Sequence, residues 1–248
     1  MAIETNAYDQ WHVKVHGEED PETIKLEEWH KNVLQFLPLI KGLKILEVGC
    51  GVGDFALYLS QQGADVTAID FSSQAIKLAT EKSKAQGGNV HFVVADAQTL
   101  PFTENSFDLI ISCECLEHVP SPQLALNEMH RVLKPSSKLI LTTENYSNAI
   151  LLGWLVCWLR KEPFNSGEQI QPIEHLFLFW RVKKMFRRAG LNVKRMLGSH
   201  HVFLLLPKCH PHTFVVERFK HRPIAQLLRP FARHMTFEAA KSQLRSND

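Results

Sequence analysis

Three glycines at alternate positions follow the first predicted strand, and an acidic residue flanks them on each side. The segment reads Glu47-Val48-Gly49-Cys50-Gly51-Val52-Gly53-Asp54. Glycines with this spacing allow a tight turn and a close approach of the backbone to a ligand, and a ligand-free strand-to-helix turn is the alternative. A dinucleotide fingerprint needs a further glycine where Asp54 stands, and two carboxylates would repel a pyrophosphate. The segment favours a ligand with positive charge, such as an ammonium or sulfonium group.

Carboxylates also follow the second and third predicted strands. Asp70 lies about 20 residues past the glycine turn, where a carboxylate can accept both hydroxyls of a ribose. Its alternative role is a helix cap shared with Ser72. Phe71 is placed to cover a purine face or to join the core. Asp96, followed by Ala97, can accept a hydrogen bond from an adenine amino group or be an ordinary loop acid.

Candidate general bases follow the fourth predicted strand, in residues 113–118 (CECLEH). His118 is at the strand end, and its alternative role is a structural histidine that caps a loop. Glu114 and Glu117 compete with it. His175 follows a polar loop and begins a predicted helix, either as a second base or as a helix residue without a ligand. No run of metal-binding acids follows the fifth strand, so no metal is predicted.

Strand and helix patterns alternate along the chain. Predicted strands lie at Lys44–Val48, Val66–Ile69, Val90–Ala95, Phe107–Ser112, Lys138–Thr143, Val193–Leu206 and Met235–Ala240. Predicted helices lie at Pro21–Leu37, Asp54–Gln62, Ser72–Gln86, Pro122–Leu133, Asn148–Lys161, Leu178–Ala189 and Pro223–His234. This order predicts βαβ units and a doubly wound α/β fold with a mostly parallel sheet. Ligands of such sheets bind beyond the carboxyl ends of the strands, where the side chains above are expected.

Composition excludes several classes of protein. The net charge is +2 over 248 residues, which is too small to indicate a nucleic-acid partner. Five cysteines without a C-x-x-C pair argue against a disulfide framework or a zinc site, and for a reducing compartment. The longest apolar run, Ala149–Leu159, is shorter than the ~20 residues of a membrane span. No signal peptide is recognised, and the prediction is a cytoplasmic protein.

The motifs resemble those of class I methyltransferases of the type 11 kind, which include quinone-biosynthesis methyltransferases. The matching stretches are LEVGCGVGDFALYL at 46–59, VTAIDFS at 66–72, VVADAQTLPFTENSFDLIISCECLEHVP at 93–120 and RVLKPSSKLILTTEN at 131–145. The resemblance implies a Rossmann-like sheet of seven strands, the last antiparallel and inserted between the fifth and sixth. It also implies S-adenosyl-L-methionine as the cofactor.

The resemblance also assigns roles to residues. The methionine part of the cofactor would lie against Glu47, the Gly49–Gly53 turn with its Cys50 and Gly51, and Cys113. Asp70 and Phe71 would take the ribose and flank the adenine, and Asp96 and Ala97 would read the adenine edge. In similar proteins a histidine near position 175 faces the acceptor.

Four regions are predicted. Residues 1–42 form an N-terminal cap helix region, and 43–145 form the cofactor-binding α/β core. Residues 146–190 form a helical cap or lid over the acceptor site. Residues 191–248 supply the last strands of the sheet and an inserted helical segment.

The apolar helix predicted at Asn148–Lys161 indicates the substrate, because an element that is apolar all round must be covered. It is read as a lid over a small lipophilic acceptor, with Trp154, Tyr8 and Trp11 contributing. Burial against the sheet or a dimer partner, and peripheral membrane contact, are its alternatives. O-methylation is favoured over N- or C-methylation. The protein is predicted to be a monomer or a homodimer. The alternative function is a non-catalytic, cofactor-binding regulatory or scaffold protein.

Overall fold

The computed structural model describes residues 2–17, 20–145, 177–205, 212–216 and 229–241, with the single residues 155, 159, 172, 173 and 175. Within them a single eight-stranded sheet has the order β3-β2-β1-β4-β5-β8-β6-β7. The strands are β1 Lys44–Val48, β2 Asp65–Asp70, β3 Val90–Val94, β4 Phe107–Cys113, β5 Leu133–Glu144, β6 Leu191–Leu205, β7 His212–Val216 and β8 Ala232–Lys241.

The first five strands are parallel, and β8 runs antiparallel between β5 and β6. This arrangement confirms the predicted doubly wound, mostly parallel sheet with a late antiparallel strand. One further strand, β7, pairs antiparallel with β6 at the edge of the sheet and was not predicted. The strand predicted at Met235–Ala240 begins earlier, at Ala232, because its first residues pair with the end of β5, Glu144 opposite His234. The prediction of a helix that extends to His234 is therefore wrong for Ala232–His234, which belong to β8.

Six helices are described along these ranges: α1 Ala2–His16, α2 Glu28–Leu34, α3 Asp54–Gln61, α4 Ser73–Ala85, α5 Pro122–Val132 and α6 Phe179–Arg188. Buried residues of α3 and α4 pack on one face of the sheet, and those of α5 and α6 pack on the other. Ser72 caps α4 as predicted, because its hydroxyl accepts a hydrogen bond from Ala75 N at 3.1 Å.

The helix predicted at Pro21–Leu37 is much shorter in the structure. It begins only at Glu28, where Glu27 and His30 form a reciprocal capping box. The preceding segment is held away from helical geometry because Lys25 N donates to the Asp54 carboxylate at the start of α3, at 2.9 Å. A tertiary hydrogen bond therefore overrides the apolar periodicity of this stretch.

Helix α1 was not predicted, because its sequence lacks a clear apolar stripe. Its partners are specific polar contacts. The Asp9 carboxylate accepts a hydrogen bond from Gln74 N at 3.1 Å and from the hydroxyls of Ser72 and Ser73 at the start of α4. Tyr8 is 3% exposed, and its hydroxyl forms hydrogen bonds with the backbone of Ile173. These contacts place α1 across the carboxyl end of the sheet.

The helix predicted at Asn148–Lys161 lies outside the described residues, apart from Leu155 and Leu159, which are helical and exposed. The described residues contain no helix long and apolar enough to cross a membrane. The four-region division of the chain stays a prediction.

Candidate functional site

A cavity of about 800 Å³ lies at the carboxyl ends of the parallel strands. The glycine turn after β1 and the ends of β2, β3, β4 and β5 form its floor, and α1 and the start of α2 cover it. Most of the predicted site residues line this cavity: Glu47, Gly49, Cys50, Gly51, Asp70, Phe71, Asp96, Ala97, Cys113, Glu114, His118, Tyr8 and Trp11. The fold therefore gathers them as a parallel sheet requires.

The glycine turn is shaped by close backbone packing. Gly49 N and Cys50 N both donate to Ile69 O of β2, at 2.8 and 2.9 Å. Gly49 has a φ of 76°, and a Cβ there would lie 2.4 Å from the Cys115 sulfur. Glycine is thus required at this position by both its conformation and its neighbour. Gly53 begins α3 as its N-cap.

The two acids beside the turn have different environments. Asp54 forms a buried ion pair with Lys82 at 2.9 Å, so its charge is already compensated. Glu47 is 2% exposed, and its Oε2 has no hydrogen-bond partner among the described residues. Burial, with added repulsion from Asp54 and Asp70, raises the pKa of Glu47 well above its ordinary value. Of the two acids, Glu47 is the one left to interact with a cationic ligand.

Asp70 connects the turn to α4. One carboxylate oxygen accepts a hydrogen bond from Gly51 N at 3.0 Å, and the other accepts one from Ser72 N at 2.9 Å. The cap of α4 is Ser72, and Asp70 orients this residue through its backbone N–H. A carboxylate has about four acceptor sites, so two contacts leave capacity for the hydroxyls of a ribose. The structural and ligand-binding roles of Asp70 are compatible.

Asp96 and Phe71 lie on the side of the cavity expected for an adenine. Asp96 accepts hydrogen bonds from Gln98 N at 2.8 Å and from the Gln98 amide at 3.1 Å, which orient its carboxylate. The Phe71 ring packs edge-on against Tyr8, with centroids 4.7 Å apart. This contact holds Tyr8 of α1 against the cavity wall.

Buried carboxyl groups gather beyond β4 and β5. Glu114 adopts a φ of 44°, and burial together with the Glu144 charge raises its pKa to about 7. Hydrogen bonding to the side chains of Thr142 and Glu117 partly offsets this rise in the pKa of Glu114. Burial and the neighbouring Glu114 raise the pKa of Glu117 to about 8, and Thr143 donates to Glu117 at 2.8 Å. These groups change protonation near neutral pH.

Strand β8 adds residues that sequence reasoning missed. His234 Nδ1 lies 3.4 Å from a Glu114 carboxylate oxygen, and the Arg233 guanidinium lies 3.2 Å from Glu144. Ligand atoms of Glu114, Glu144 and His234 lie within 4.8 Å of one another, a spacing that would suit a metal ion. Arg233 already supplies a positive charge there, and the absence of a metal stays a prediction. The sequence alone does not reveal the antiparallel pairing of Glu144 with His234, which brings His234 and Arg233 to this site.

The two candidate histidines differ in position. His118 lines the cavity, and its Nδ1 is 2.7 Å from Ile173 O. A proton on Nδ1 would leave Nε2 as an acceptor. His175 is not among the residues that line the cavity, and its Nε2 is 2.9 Å from Val119 O. The helix predicted to start at His175 starts at Phe179, so that part of the prediction is wrong.

The remaining predicted site residues have varied placements. Cys50 and Cys113 are buried beside the turn, and burial raises the pKa of both thiols, which keeps them neutral. Gly53 packs against Ala79 and Phe92 rather than lining the cavity. Trp154 lies outside the described residues.

Comparison with known families identifies the α/β region of the chain. Residues 46–141 match the family described as a methyltransferase domain. This region is a class I methyltransferase domain of the type 11 kind.

Relatives and solved structures extend the comparison. Demethylmenaquinone methyltransferase of Staphylococcus aureus (strain MRSA252) is 41% identical over 115 residues, 45% of this chain and 47% of the relative. The Staphylococcus haemolyticus enzyme of that name is 40% identical, over 45% and 48%. The chain thus spans about half the length of these curated relatives.

Solved structures show the same fold across nearly the whole chain. A putative methyltransferase of Haloferax volcanii, in complex with its Trm112 activator, has a TM-score of 0.66 at 18% identity, covering 98% of this chain and 100% of that one. A putative methyltransferase of Bacillus halodurans has a TM-score of 0.67 at 17% identity, covering 86% and 99%.

S-adenosylmethionine is the cofactor of this methyltransferase domain family, and the cavity fits it. Glu47 offers a buried acceptor oxygen to an ammonium group, and Asp70 retains acceptor capacity for a ribose. A Cβ on Gly51 would find its nearest atom, His12 Cε1, 3.8 Å away, so the backbone here is open to a close-lying ligand.

Proposed function

We propose that the chain transfers the methyl group of S-adenosylmethionine to a small, largely apolar acceptor, with attack through oxygen favoured over nitrogen or carbon. The observation that supports this most directly is the position of Glu114. Its buried carboxyl lines the same cavity as the glycine turn, and its pKa is raised to about 7 by burial and by the Glu144 charge. A group that removes a proton from an acceptor belongs at such a place.

The methyltransferase domain supplies binding and orientation. The cofactor brings an activated methyl group, so the protein contributes mainly position and exclusion of water. Glu47 would hold the ammonium, Asp70 the ribose hydroxyls, and Asp96 the adenine edge. Helix α1 covers the cavity with Trp11 and His12, which limits the access of water.

Glu114 would accept the proton that an attacking hydroxyl releases. The carboxylate would take up the hydroxyl proton as the acceptor oxygen received the methyl group that the cofactor would supply from its sulfonium. Because the pKa of Glu114 is raised to about 7, it is partly ionised at neutral pH and a stronger base than an ordinary carboxylate. Turnover should therefore rise with pH through about 7. His118 and His175 remain alternative bases.

The surroundings of Glu114 favour a flat, apolar acceptor. The Trp29 ring lies 5.9 Å from the His234 ring, and His234 is in turn beside Glu114. Aromatic walls with a few polar groups are typical of sites for apolar small molecules. The named relatives methylate demethylmenaquinone, and a quinol-like acceptor is consistent with this lining. A cytoplasmic location and the absence of a nucleic-acid partner stay predictions.

An acceptor screen tests the proposal. Wild type, Glu114→Gln, His118→Ala and His175→Ala are assayed with methyl-labelled S-adenosylmethionine and short-chain naphthoquinols, phenols and amines. Glu114→Gln should reduce turnover by about 100-fold, in the range for loss of a general base, while affinity for the cofactor changes little. The exposed change Glu81→Gln on α4 is the matched control and should leave turnover unaltered.

Product analysis separates the outcomes. An O-methylated product supports the full proposal. A C-methylated or N-methylated product would correct only the atom of the acceptor that is methylated. Unaltered turnover in Glu114→Gln rejects Glu114 as the base. Cofactor binding without turnover on any acceptor would favour the non-catalytic alternative.

A further inference from the structure

Helix α6 presents a basic face that carries no acidic residue. Its sequence is FWRVKKMFRR, so five of its ten residues are Lys or Arg. All five are exposed: Arg181, Lys183, Lys184, Arg187 and Arg188. The opposite side of the helix is anchored in the core by Phe179, Val182, Met185 and Phe186. The orientation of the basic face is therefore fixed by packing.

Two large apolar side chains stand at the beginning of the same face. Trp180 is 66% exposed, and Leu178, directly before the helix, is 43% exposed. Trp180 is four residues before Lys184, so the two share one side of the helix. Tryptophan has an apolar body and one polar N–H, and it is enriched where proteins meet the headgroup region of membranes.

The neighbouring helix α5 does not cancel this charge. Its exposed residues Leu124 and Asn127 are neutral, and its acid Glu128 is paired with Arg131 at 2.7 Å. The α5 amide of Gln123 donates to Met185 O at 3.3 Å, which places the two helices side by side. The basic face thus has no acidic counterpart on the helix beside it.

We propose that residues 178–188 form a docking surface for anionic lipid bilayers, with Trp180 and Leu178 entering the headgroup region and the five basic residues facing lipid phosphates. Charge complementarity and the apolar end of the face together support this occupant. An interfacial helix with basic residues and an aromatic group is the usual form of such contacts. Nucleic acid would be matched by the charges but not by Leu178.

The surface begins only a few residues after a cavity-lining residue. Ile173 lines the cavity, and only residues 174–177 separate it from Leu178. Phe177, directly before the exposed Leu178, is fully buried. A lipophilic molecule partitioned in a bilayer would thus be brought near the cavity. Membrane binding itself needs no turnover, so this proposal fails or succeeds independently of the proposed function.

Co-sedimentation with vesicles tests the surface. The full chain is mixed with vesicles of phosphatidylcholine alone, or with an equal mixture of phosphatidylcholine and phosphatidylglycerol. We expect binding to the mixed vesicles that weakens as salt is raised. Each basic residue contributes about fivefold to the partition coefficient, so Lys184→Glu with Arg188→Glu should lower it at least about 30-fold. Trp180→Ala should weaken binding without changing its salt dependence.

The control is a charge reversal of equal size on the other face of the sheet. Lys77 and Lys84 of α4 are exposed, and Lys84, like Arg188, lies in the last turn of its helix. Lys77→Glu with Lys84→Glu should leave most of the binding intact. An equal loss in both double variants would reject a specific surface. Absence of binding to mixed vesicles, or binding to an RNA duplex but not to vesicles, would also overturn the proposal.

Discussion

Asp70 combines structural and ligand-binding capacity in one side chain. It accepts hydrogen bonds from Gly51 N and Ser72 N, so it organises the glycine turn and the start of α4 before any ligand is present. Sequence reasoning placed Asp70 as either a ribose ligand or a cap. A carboxylate with two oxygens at a strand end has room for both contacts.

Asp70→Asn should weaken cofactor binding. The amide keeps the size of the side chain but loses the charge and half of the acceptor capacity, and hydrogen bonds to charged groups contribute about 1.5–3 kcal/mol. Isothermal titration calorimetry with S-adenosylmethionine should show a dissociation constant raised about 10- to 100-fold. Asp65→Asn, an exposed position at the other end of the same strand, is the control. Equal affinities for wild type and Asp70→Asn would remove the ribose assignment.

At the scale of elements, the strands that agree with prediction are those with continuous apolar runs. β1 matches its predicted bounds, and β2 to β5 lie where their apolar stretches indicated, because strands buried on both faces need such sequences. Elements held by specific contacts were missed or misplaced. The shortened α2, the unpredicted α1 and the early start of β8 each depend on a residue distant in sequence.

The residues of the site likewise divide into those that the sequence predicts and those that depend on contacts distant in sequence. Glu47, Asp70, Asp96 and Glu114 were found because each lies at or just past the carboxyl end of a predicted strand. His234 and Arg233 were not found, because they reach the cavity only through the antiparallel register of β8 with β5. No role was predicted for Glu144, because its neighbours come from β8.

Helix α1 should depend on Asp9 for its attachment. Asp9→Ala removes a carboxylate that caps α4 and joins it to α1, and loss of a cap costs about 1 kcal/mol. Local opening should become about fivefold more populated, and amides of residues 2–16 should exchange faster by hydrogen–deuterium exchange mass spectrometry. Gln10→Ala, an exposed neighbour, should leave exchange unchanged. Identical protection in Asp9→Ala would show that other contacts hold the helix.

At the scale of the whole molecule, the buried carboxyl groups make stability depend on pH. The pKa of Glu114 is raised to about 7, and that of Glu117 to about 8, above an ordinary value of 4.5. The folded chain therefore binds more protons than the unfolded chain between these values. Since stability falls with pH wherever the folded state holds the extra protons, the contribution of these groups declines from about pH 5 to pH 8.

Glu114→Gln should reduce that decline. For Glu114 alone, a pKa raised from 4.5 to about 7 corresponds to about 3 kcal/mol of lost stability above pH 7. Calorimetric melting temperatures should be similar for wild type and variant near pH 5, and higher for the variant at pH 8. Glu81→Gln should follow wild type throughout. A variant that melts in parallel with wild type at every pH would contradict the raised pKa.

The position of β8 has a consequence for synthesis of the protein. Because this strand fills the gap between β5 and β6, hydrogen-bonding groups along one side of β5 have no native partner until residues 232–241 have left the ribosome. An exposed sheet edge invites pairing with other chains. The nascent polypeptide is thus vulnerable to aggregation until β8 has been synthesised, and this strand both fills the gap in the sheet and delivers His234 and Arg233 to the cavity.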